Sequence, residues 1–149
     1  MLGSTHALKK GKDNKYIQQI REEIGIHKFV CDQDVSHKVV EIYGCFQDKE
    51  HICLALEYVP GGSLRDVLNY QVKLPKETVA RIIKQVCEAL EFLHSINVIH
   101  RDIKPENVLI GSSKTIMLAD FGIAAWTYGP RSTQCGTSVS FGWGAICNG

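Results

Sequence analysis

A polar segment at residues 100–107 constrains the fold of this chain more than any other feature. It reads His-Arg-Asp-Ile-Lys-Pro-Glu-Asn and lies between two short apolar runs, which predicts a loop between strands whose backbone is fixed by the proline. In such a loop, Asp102 can orient a hydroxyl group and accept its proton, and Lys104 can neutralise a phosphoryl group. The amide oxygen of Asn107 suits Mg²⁺. These residue types predict a site for chemistry on a phosphorylated ligand.

A second carboxylate follows thirteen residues after Asn107, where the chain reads Asp120-Phe121-Gly122 at the end of a short apolar run. The glycine permits a backbone turn, and the phenylalanine anchors it. One aspartate and one asparagine that converge on a hard, oxygen-preferring cation form a plausible site for Mg²⁺ with a nucleotide.

Length and charge limit the class of protein. The chain has 149 residues, of which 44% are hydrophobic and 22% charged, as in an ordinary globular domain. Lys and Arg number 17 against 16 Asp and Glu. This near-balance argues against a protein that binds nucleic acid or a membrane mainly through its net charge. Apolar runs fall short of the ~18 residues of a membrane span, and the N-terminus does not resemble a signal peptide. We expect a soluble protein of the cytoplasm or nucleus.

Six cysteines occur, none in a Cys-x-x-Cys pair. Most lie in apolar runs, such as those around Cys53 and Cys87. We therefore expect buried, reduced thiols rather than disulfides or a zinc site.

Hydrophobic periodicity predicts alternating helices and short strands. The predicted helix near the N-terminus places Ile20, Glu23, Ile24 and His27 on one face. The longest helix begins at Pro75, and Ser63 is a natural N-cap for the short helix before it. The predicted strands are 5–9, 38–46, 51–58, 98–99, 108–110 and 116–118, and the predicted helices are 15–29, 64–68 and 75–95; residues 32–34 are predicted to be a loop.

Residues 100–107 and Asp120-Phe121-Gly122 together resemble the catalytic loop and the magnesium loop of eukaryotic protein kinases, over residues 7–137 of the chain. Lys104 with the following Pro-Glu is similar to serine/threonine kinases. The resemblance implies an α+β fold: an incomplete small β lobe with one helix, then the upper part of the helical large lobe. It implies ATP and Mg²⁺ as cofactors and a Ser/Thr hydroxyl of a protein as acceptor.

The resemblance also implies roles for the loop residues. Asp102 would orient the acceptor hydroxyl, Lys104 would offset charge on the γ-phosphate, and Asn107 with Asp120 would hold Mg²⁺.

In the N-terminal part, Ala7-Leu8-Lys9 resembles the Ala-x-Lys of a kinase strand. Positions 7 and 9 face the same side of a strand, so Ala7 would touch adenine and Lys9 would reach the phosphates. Glu23 on the following helix would pair with Lys9, and Glu22 is the alternative partner.

Residues 56–59, Leu-Glu-Tyr-Val, resemble the kinase hinge. The backbone of Glu57 and Val59 would bond the adenine edge, Leu56 would guard the pocket behind it, and Leu109 would form its apolar floor. Glu106 resembles the acidic residue with which some kinases bind an arginine of the substrate. The alternative is that Glu106 contacts only nucleotide or solvent.

Thr133 resembles an activation-loop phosphorylation site. Arg101 is its expected counter-cation, since Arg pairs with phosphate through two hydrogen bonds.

Subfamily signals are mixed. Residues 21–24 (Arg-Glu-Glu-Ile), 43–46 (Tyr-Gly-Cys-Phe) and 135–137 (Cys-Gly-Thr) look like aurora-type kinases. Residues 60–64 (Pro-Gly-Gly-Ser-Leu) look more like kinases of the MAP-kinase cascade.

Two family elements are absent from the sequence: a Gly-x-Gly-x-x-Gly loop before Ala7 and an Ala-Pro-Glu element after Thr137. We therefore expect an incomplete chain, with a partial N-lobe at 1–59, a partial C-lobe at 60–137 and a divergent tail at 138–149. We expect the chain alone to be inactive or very weak as an enzyme. The alternative is an inactive kinase-like module that binds partners of a full kinase, including a regulatory protein.

The longest predicted helix carries an apolar stripe that helices of a complete large lobe would cover. We expect this stripe to be partly exposed to water in the present chain. It consists of Val79, Ile82, Ile83, Val86, Leu90 and Leu93.

Overall fold

A computed structural model describes residues 5–10, 14–47, 51–70 and 73–127. An antiparallel three-stranded sheet opens the chain, formed by β1 (Thr5–Lys10), β2 (Ile42–Gln47) and β3 (His51–Leu56) in the order β1-β3-β2. The predicted strands at 5–9 and 51–58 are confirmed, although β3 ends two residues early.

The first strand of the predicted hairpin begins later than expected. Residues 38–46 were predicted as one strand, but β2 starts only at Ile42. The preceding residues pair elsewhere: Val40 N–H donates to the Leu118 carbonyl at 2.9 Å, and Leu118 N–H donates to the Lys38 carbonyl at 2.9 Å. Burial of Val40 against this distant strand overrides local β-propensity and turns the segment away from the sheet.

Helix α1 (Asn14–Gln33) begins one residue earlier and ends four residues later than predicted, and it includes two residues expected in a loop. Val30 is fully buried, so the inward face of the helix continues into its last turn. The helix ends where the Asp34 carboxylate accepts hydrogen bonds from the backbone N–H groups of Lys38 at 2.6 Å and Val39 at 2.9 Å.

Helix α2 (Leu64–Tyr70) begins with the predicted cap. The Ser63 hydroxyl accepts a hydrogen bond from the Asp66 N–H at 3.1 Å, and the Asp66 carboxylate accepts one from the Ser63 N–H at 2.8 Å. This reciprocal pair is a capping box closed by aspartate. The Ser63 hydroxyl and N–H lower the pKa of the Asp66 carboxyl.

The long helix α3 (Lys76–Ser95) follows Pro75, as predicted. Four short strands complete the described chain: β4 (Val98–Ile99), β5 (Val108–Ile110), β6 (Ile116–Leu118) and β7 (Ala125–Trp126). β4 pairs with β7, and β5 pairs with β6, both antiparallel. The three strands predicted in this region are confirmed.

The apolar stripe of α3 is largely covered by the chain itself, so the expectation that it would be partly exposed is wrong for most of its members. Helix α1 and strands β4 to β6 supply the cover, because their buried side chains join α3 in one core. Ile83 is 38% exposed and Leu90 is half-buried. The buried residues of α3 are Val79, Ile82, Val86, Ala89 and Leu93.

The prediction of buried thiols is wrong for two of the four cysteines in the described residues. Cys53 is buried and Cys31 is half-buried, whereas Cys45 and Cys87 are exposed. Cys87 follows the inward-facing Val86 on α3 and so points to solvent. All four are free thiols.

In the described part of the chain, no group of three or more His, Cys, Asp or Glu side chains could hold a metal ion. Over the same residues, no helix has the length and apolar character needed to cross a membrane.

Candidate active site

The carboxylate of Asp102 is held from two sides within the catalytic loop (residues 100–107). Lys104 Nζ lies 2.7 Å from Asp102 Oδ2, and Asn107 Nδ2 donates to the same oxygen at 3.0 Å. Asn107 Nδ2 also donates to the Asp102 backbone carbonyl at 2.9 Å. The hydrogen bond that Lys104 donates to Asp102 raises the pKa of Lys104, which therefore carries its positive charge. The structure brings together the three residues predicted to be catalytic.

Local backbone structure explains this convergence. Residues Pro105–Asn107 form a single 3₁₀ turn, closed by a hydrogen bond of 2.9 Å from Asn107 N–H to the Lys104 carbonyl. The turn brings Asn107 back over Asp102, five positions earlier in the chain.

His100 connects the catalytic loop to strand β6. It is fully buried, and its Nε2–H donates to the Ala119 carbonyl at 3.1 Å, while Nδ1 accepts from the Asp102 N–H at 3.3 Å. Burial lowers the pKa of His100 below its usual value. The imidazole is therefore neutral and fixes the backbone of Asp102.

Asp120 and Asn107 meet where strands β5 and β6 pair. Ala119 N–H donates to the Asn107 carbonyl at 2.9 Å, which places Asp120 directly beside the end of the catalytic loop. Asp120 has φ of 64°, in the left-handed region, and its Oδ1 accepts from the Gly122 N–H at 3.1 Å. The backbone thus places the two predicted Mg²⁺ ligands on adjacent segments.

Phe121 links the magnesium loop (residues 120–122) to helix α1. Its ring is buried and stacks on His27, with ring centroids 4.6 Å apart, and it also contacts His100 at 5.0 Å. His27 Nε2–H donates to the Val40 carbonyl at 2.7 Å. Helical spacing predicted the inward face of His27, but its stacking on Phe121 joins residues far apart in sequence and was missed.

Glu23 and Glu22 are separated by the structure. Glu23 is 6% exposed, whereas Glu22 is exposed and accepts a hydrogen bond from Gln18 Nε2 at 3.3 Å. Glu22, the alternative partner for Lys9, therefore points to solvent. Lys9 lies on β1 opposite Ile52, and its side chain is outside the described residues, as is that of Ala7.

Three of the residues predicted at the adenine site, Leu56, Val59 and Leu109, belong to one apolar cluster. Val59 is buried together with Val40 and Met117, and Leu56 and Leu109 pack against them. These residues come from the hinge, from β5 and β6 and from the segment before β2, so the fold alone assembles the cluster. Around it, Glu57 N–H donates to the Glu41 carbonyl at 2.8 Å, and Gly62 N–H donates to the Val59 carbonyl at 3.2 Å.

A cavity of about 630 Å³ lies elsewhere, between the hinge, helix α3 and the turn after β5. Of the predicted site residues, only Glu57 and Val59 line it; the catalytic loop does not. This cavity is therefore not the expected nucleotide site.

Arg101 and Glu106, two further predicted residues, have partners within the chain. Arg101 donates through Nε to the Ile123 carbonyl and through Nη2 to the Ala124 carbonyl at 3.4 Å. Arg101 has φ of 66°. Glu106 accepts a hydrogen bond of 2.9 Å from Arg65 Nε of α2. Sequence reasoning missed Arg65, because nothing in the local pattern places it near a residue 41 positions later.

Thr133, the predicted phosphorylation site, lies outside the described residues, as does the tail at 138–149. The pairing of Arg101 with a phosphate on Thr133 stays a prediction.

The small antiparallel sheet with one long helix, joined to a helical part that carries the catalytic and magnesium loops, defines a partial α+β kinase fold. Residues 4–141 match the model of the protein kinase domain family. The chain belongs to the protein kinase family.

Curated relatives agree with this assignment. The chain is 41% identical to an Aurora kinase of Yarrowia lipolytica over 80% of its length, covering 32% of that protein. It is 38% identical to mouse Aurora kinase C over 80% of its length, covering 42% of that protein. It is 38% identical to mouse serine/threonine-protein kinase DCLK3 over 78% of its length, covering 15% of that protein. The chain thus spans well under half the length of these relatives.

Proposed function

We propose that this protein transfers the γ-phosphoryl group of ATP to Ser or Thr hydroxyls of protein substrates. The observation that carries the proposal is the Asp102 carboxylate, held by Lys104 and Asn107 at 2.7 and 3.0 Å beside Asp120. The names of the relatives, serine/threonine-protein kinase and Aurora kinase, support the same reaction.

Asp102 acts on the acceptor. Because Lys104 and Asn107 both bind Oδ2, the Asp102 carboxylate is fixed in orientation, and it would accept the proton of the acceptor hydroxyl. Lys104 then lies close to the point where negative charge develops, and its positive charge stabilises the transferring group.

Asn107 and Asp120 fit Mg²⁺, because an amide oxygen and a carboxylate are hard oxygen ligands. Asn107 uses its amide nitrogen for Asp102, so its amide oxygen is the atom that would bind the cation. Bound Mg²⁺ would neutralise charge on the phosphates during transfer. Glu23 and Lys9 would fix the α- and β-phosphates.

The apolar cluster of Leu56, Val59 and Leu109 would receive adenine. Because the Glu57 N–H and the Val59 carbonyl are engaged within the chain, the adenine edge would meet the Glu57 carbonyl and the Val59 N–H. In this proposal the hinge after residue 59 separates the partial N-lobe (1–59) from the partial C-lobe (60–137).

Replacing the two acidic residues tests the proposal. Transfer from radiolabelled ATP to Ser, Thr and Tyr peptides is measured for the protein, extended at both ends to a full kinase domain, and for Asp102→Asn and Asp120→Asn. We expect each variant to lose at least 10-fold in kcat, about 1.4 kcal/mol of transition-state stabilisation, and Tyr peptides to be poor acceptors.

The exposed Asp32 of α1 provides the matched control, and Asp32→Asn should keep kcat within about 2-fold. Retention of more than a tenth of kcat in Asp120→Asn would contradict the assigned ligand. Absence of transfer from the parent protein, with ATP or a protein partner still bound, would favour the alternative of a binding module.

A further inference from the structure

An ion pair joins helix α2 to the catalytic loop. Arg65 Nε lies 2.9 Å from Glu106 Oε1, and the two side chains are 44% and 46% exposed. An ion pair this open to water contributes at most about 1 kcal/mol, so it is readily exchanged for a competing partner.

Glu106 lies within electrostatic reach of the acceptor site. It lies in the 3₁₀ turn Pro105–Asn107, whose last residue donates to Asp102 Oδ2 at 3.0 Å. The carboxylate of Glu106 already binds one guanidinium, that of Arg65, at 2.9 Å. A substrate whose hydroxyl binds at Asp102 would therefore lie close to the exposed carboxylate of Glu106, four positions later in the same loop.

We propose that Arg65 is a specificity-determining residue, which competes with basic substrate side chains for the Glu106 carboxylate and so lowers the preference for Arg or Lys near the acceptor. This inference rests on the proposed kinase function. The geometry supports competition because Arg65 donates to Glu106 from within the chain, as an incoming guanidinium would.

The main test compares two peptides that differ only in one position near the acceptor serine, arginine in one and glutamine in the other. The ratio of their kcat/KM values is measured in the extended protein and in Arg65→Gln. Because Arg65→Gln releases Glu106 from a half-exposed ion pair, the kcat/KM of the arginine peptide divided by that of the glutamine peptide should rise about 2- to 5-fold. An unchanged or lower ratio in Arg65→Gln would overturn the inference.

Further variants separate competition from damage to the fold. Glu106→Gln should reduce the ratio, and Arg65→Gln with Glu106→Gln should match Glu106→Gln alone, because Arg65 acts only through that carboxylate. Arg65→Lys should behave nearly as the parent. Arg81→Gln, at an exposed position on α3, removes the same charge and should leave the ratio unchanged. A rise in the double variant would show a different cause and refute the proposal.

A binding measurement distinguishes failure of this inference from failure of the proposed function. Fluorescence anisotropy gives the Kd of the labelled arginine peptide for the 149-residue protein and for Arg65→Gln. Tighter binding of the arginine peptide by Arg65→Gln, together with no phosphoryl transfer by the extended protein, would refute the kinase function and uphold the competition. Phosphoryl transfer by the extended protein, with no change in the kcat/KM ratio or the Kd, would uphold the kinase function and refute the competition.

Discussion

His100 is the residue through which pH acts most directly on the site. Its burial lowers its pKa in the folded protein, whereas the unfolded chain binds a proton near the ordinary value of about 6.5. Below pH 6.5 the unfolded state therefore binds more protons than the folded state, and stability falls as pH decreases. Protonation would also place a proton on Nδ1, which now accepts from the Asp102 N–H.

Urea unfolding at pH 7.5 and 5.5 checks this dependence. We expect His100→Gln to lose less stability between the two pH values than the parent, by about 1 kcal/mol. His94→Gln, on the exposed end of α3, should lose as much as the parent. Equal losses in all three proteins would mean that His100 is not a source of the pH dependence.

At the residue scale, sequence predicted those parts of the site that are neighbours in the chain. Asp102, Lys104 and Asn107 share one short loop, so their chemistry could be inferred from the order of residues alone. The contacts of His27 with Phe121 and of Arg65 with Glu106 depend on how distant elements pack. No local pattern encodes that packing.

At the scale of elements, two glycines should respond in opposite ways to alanine. Gly25 lies inside α1, and an added Cβ there would meet nothing within 4 Å. Alanine at this position should stabilise the protein by about 0.5–1 kcal/mol, because glycine is a poor helix former. An added Cβ at Gly61 would collide with the Ile110 carbonyl.

Gly61→Ala should therefore destabilise the protein by about 1–3 kcal/mol. It should also weaken ATP binding, because it displaces β5, which carries Leu109, from the hinge. Thermal and urea unfolding of Gly25→Ala and Gly61→Ala, with nucleotide titration, measure both effects. Stability changes of the same sign would contradict the packing described for Gly61.

Element types were predicted well, and the errors lie at ends that tertiary contacts decide. Helix α1 runs on to Gln33 because Val30 is buried, and β2 starts late because Val40 bonds to Leu118. The first end is set by burial in the core, and the second by Leu118 of β6, 78 positions after Val40. Strand β7 was not predicted, because it has only two residues and its pairing with β4 depends on the turn that the chain makes at the magnesium loop.

At the scale of the whole molecule, the main core lies beneath helices α1 and α3. Its buried members come from the three helices, from β4 to β6 and from the magnesium loop and its surroundings. In β2 and β3, over the side chains that the structure describes, Cys53 and Leu54 are the buried hydrophobic residues. Strands β2 and β3 are thus joined to the rest through less apolar packing, as far as their side chains are described.

Hydrogen exchange followed by mass spectrometry should reveal this difference. Amides of β2 and β3 are expected to exchange at least 10-fold faster than those of α3 and β6, because local opening costs less where less apolar surface is buried. Leu93→Ala, which removes a fully buried side chain of the main core, should speed exchange in α3. Uniform protection across both regions would argue for a single cooperative unit.

The left-handed backbone at Asp120 also has a consequence for attempts to engineer a more thermostable variant of this protein. Non-glycine residues there, as at Arg101 and Ser113, carry about 1–2 kcal/mol of steric cost, although aspartate tolerates it better than most. A screen that selects only for thermostability scores this strain together with the side-chain hydrogen bonds that glycine would remove at Arg101 and Asp120. At Ser113, in the turn before β6, that exchange removes strain at no chemical loss; at Asp120 it removes a carboxylate beside the catalytic loop. Such a screen measures stability alone, so it gives no information on the loss of this carboxylate, which the proposed kinase activity requires.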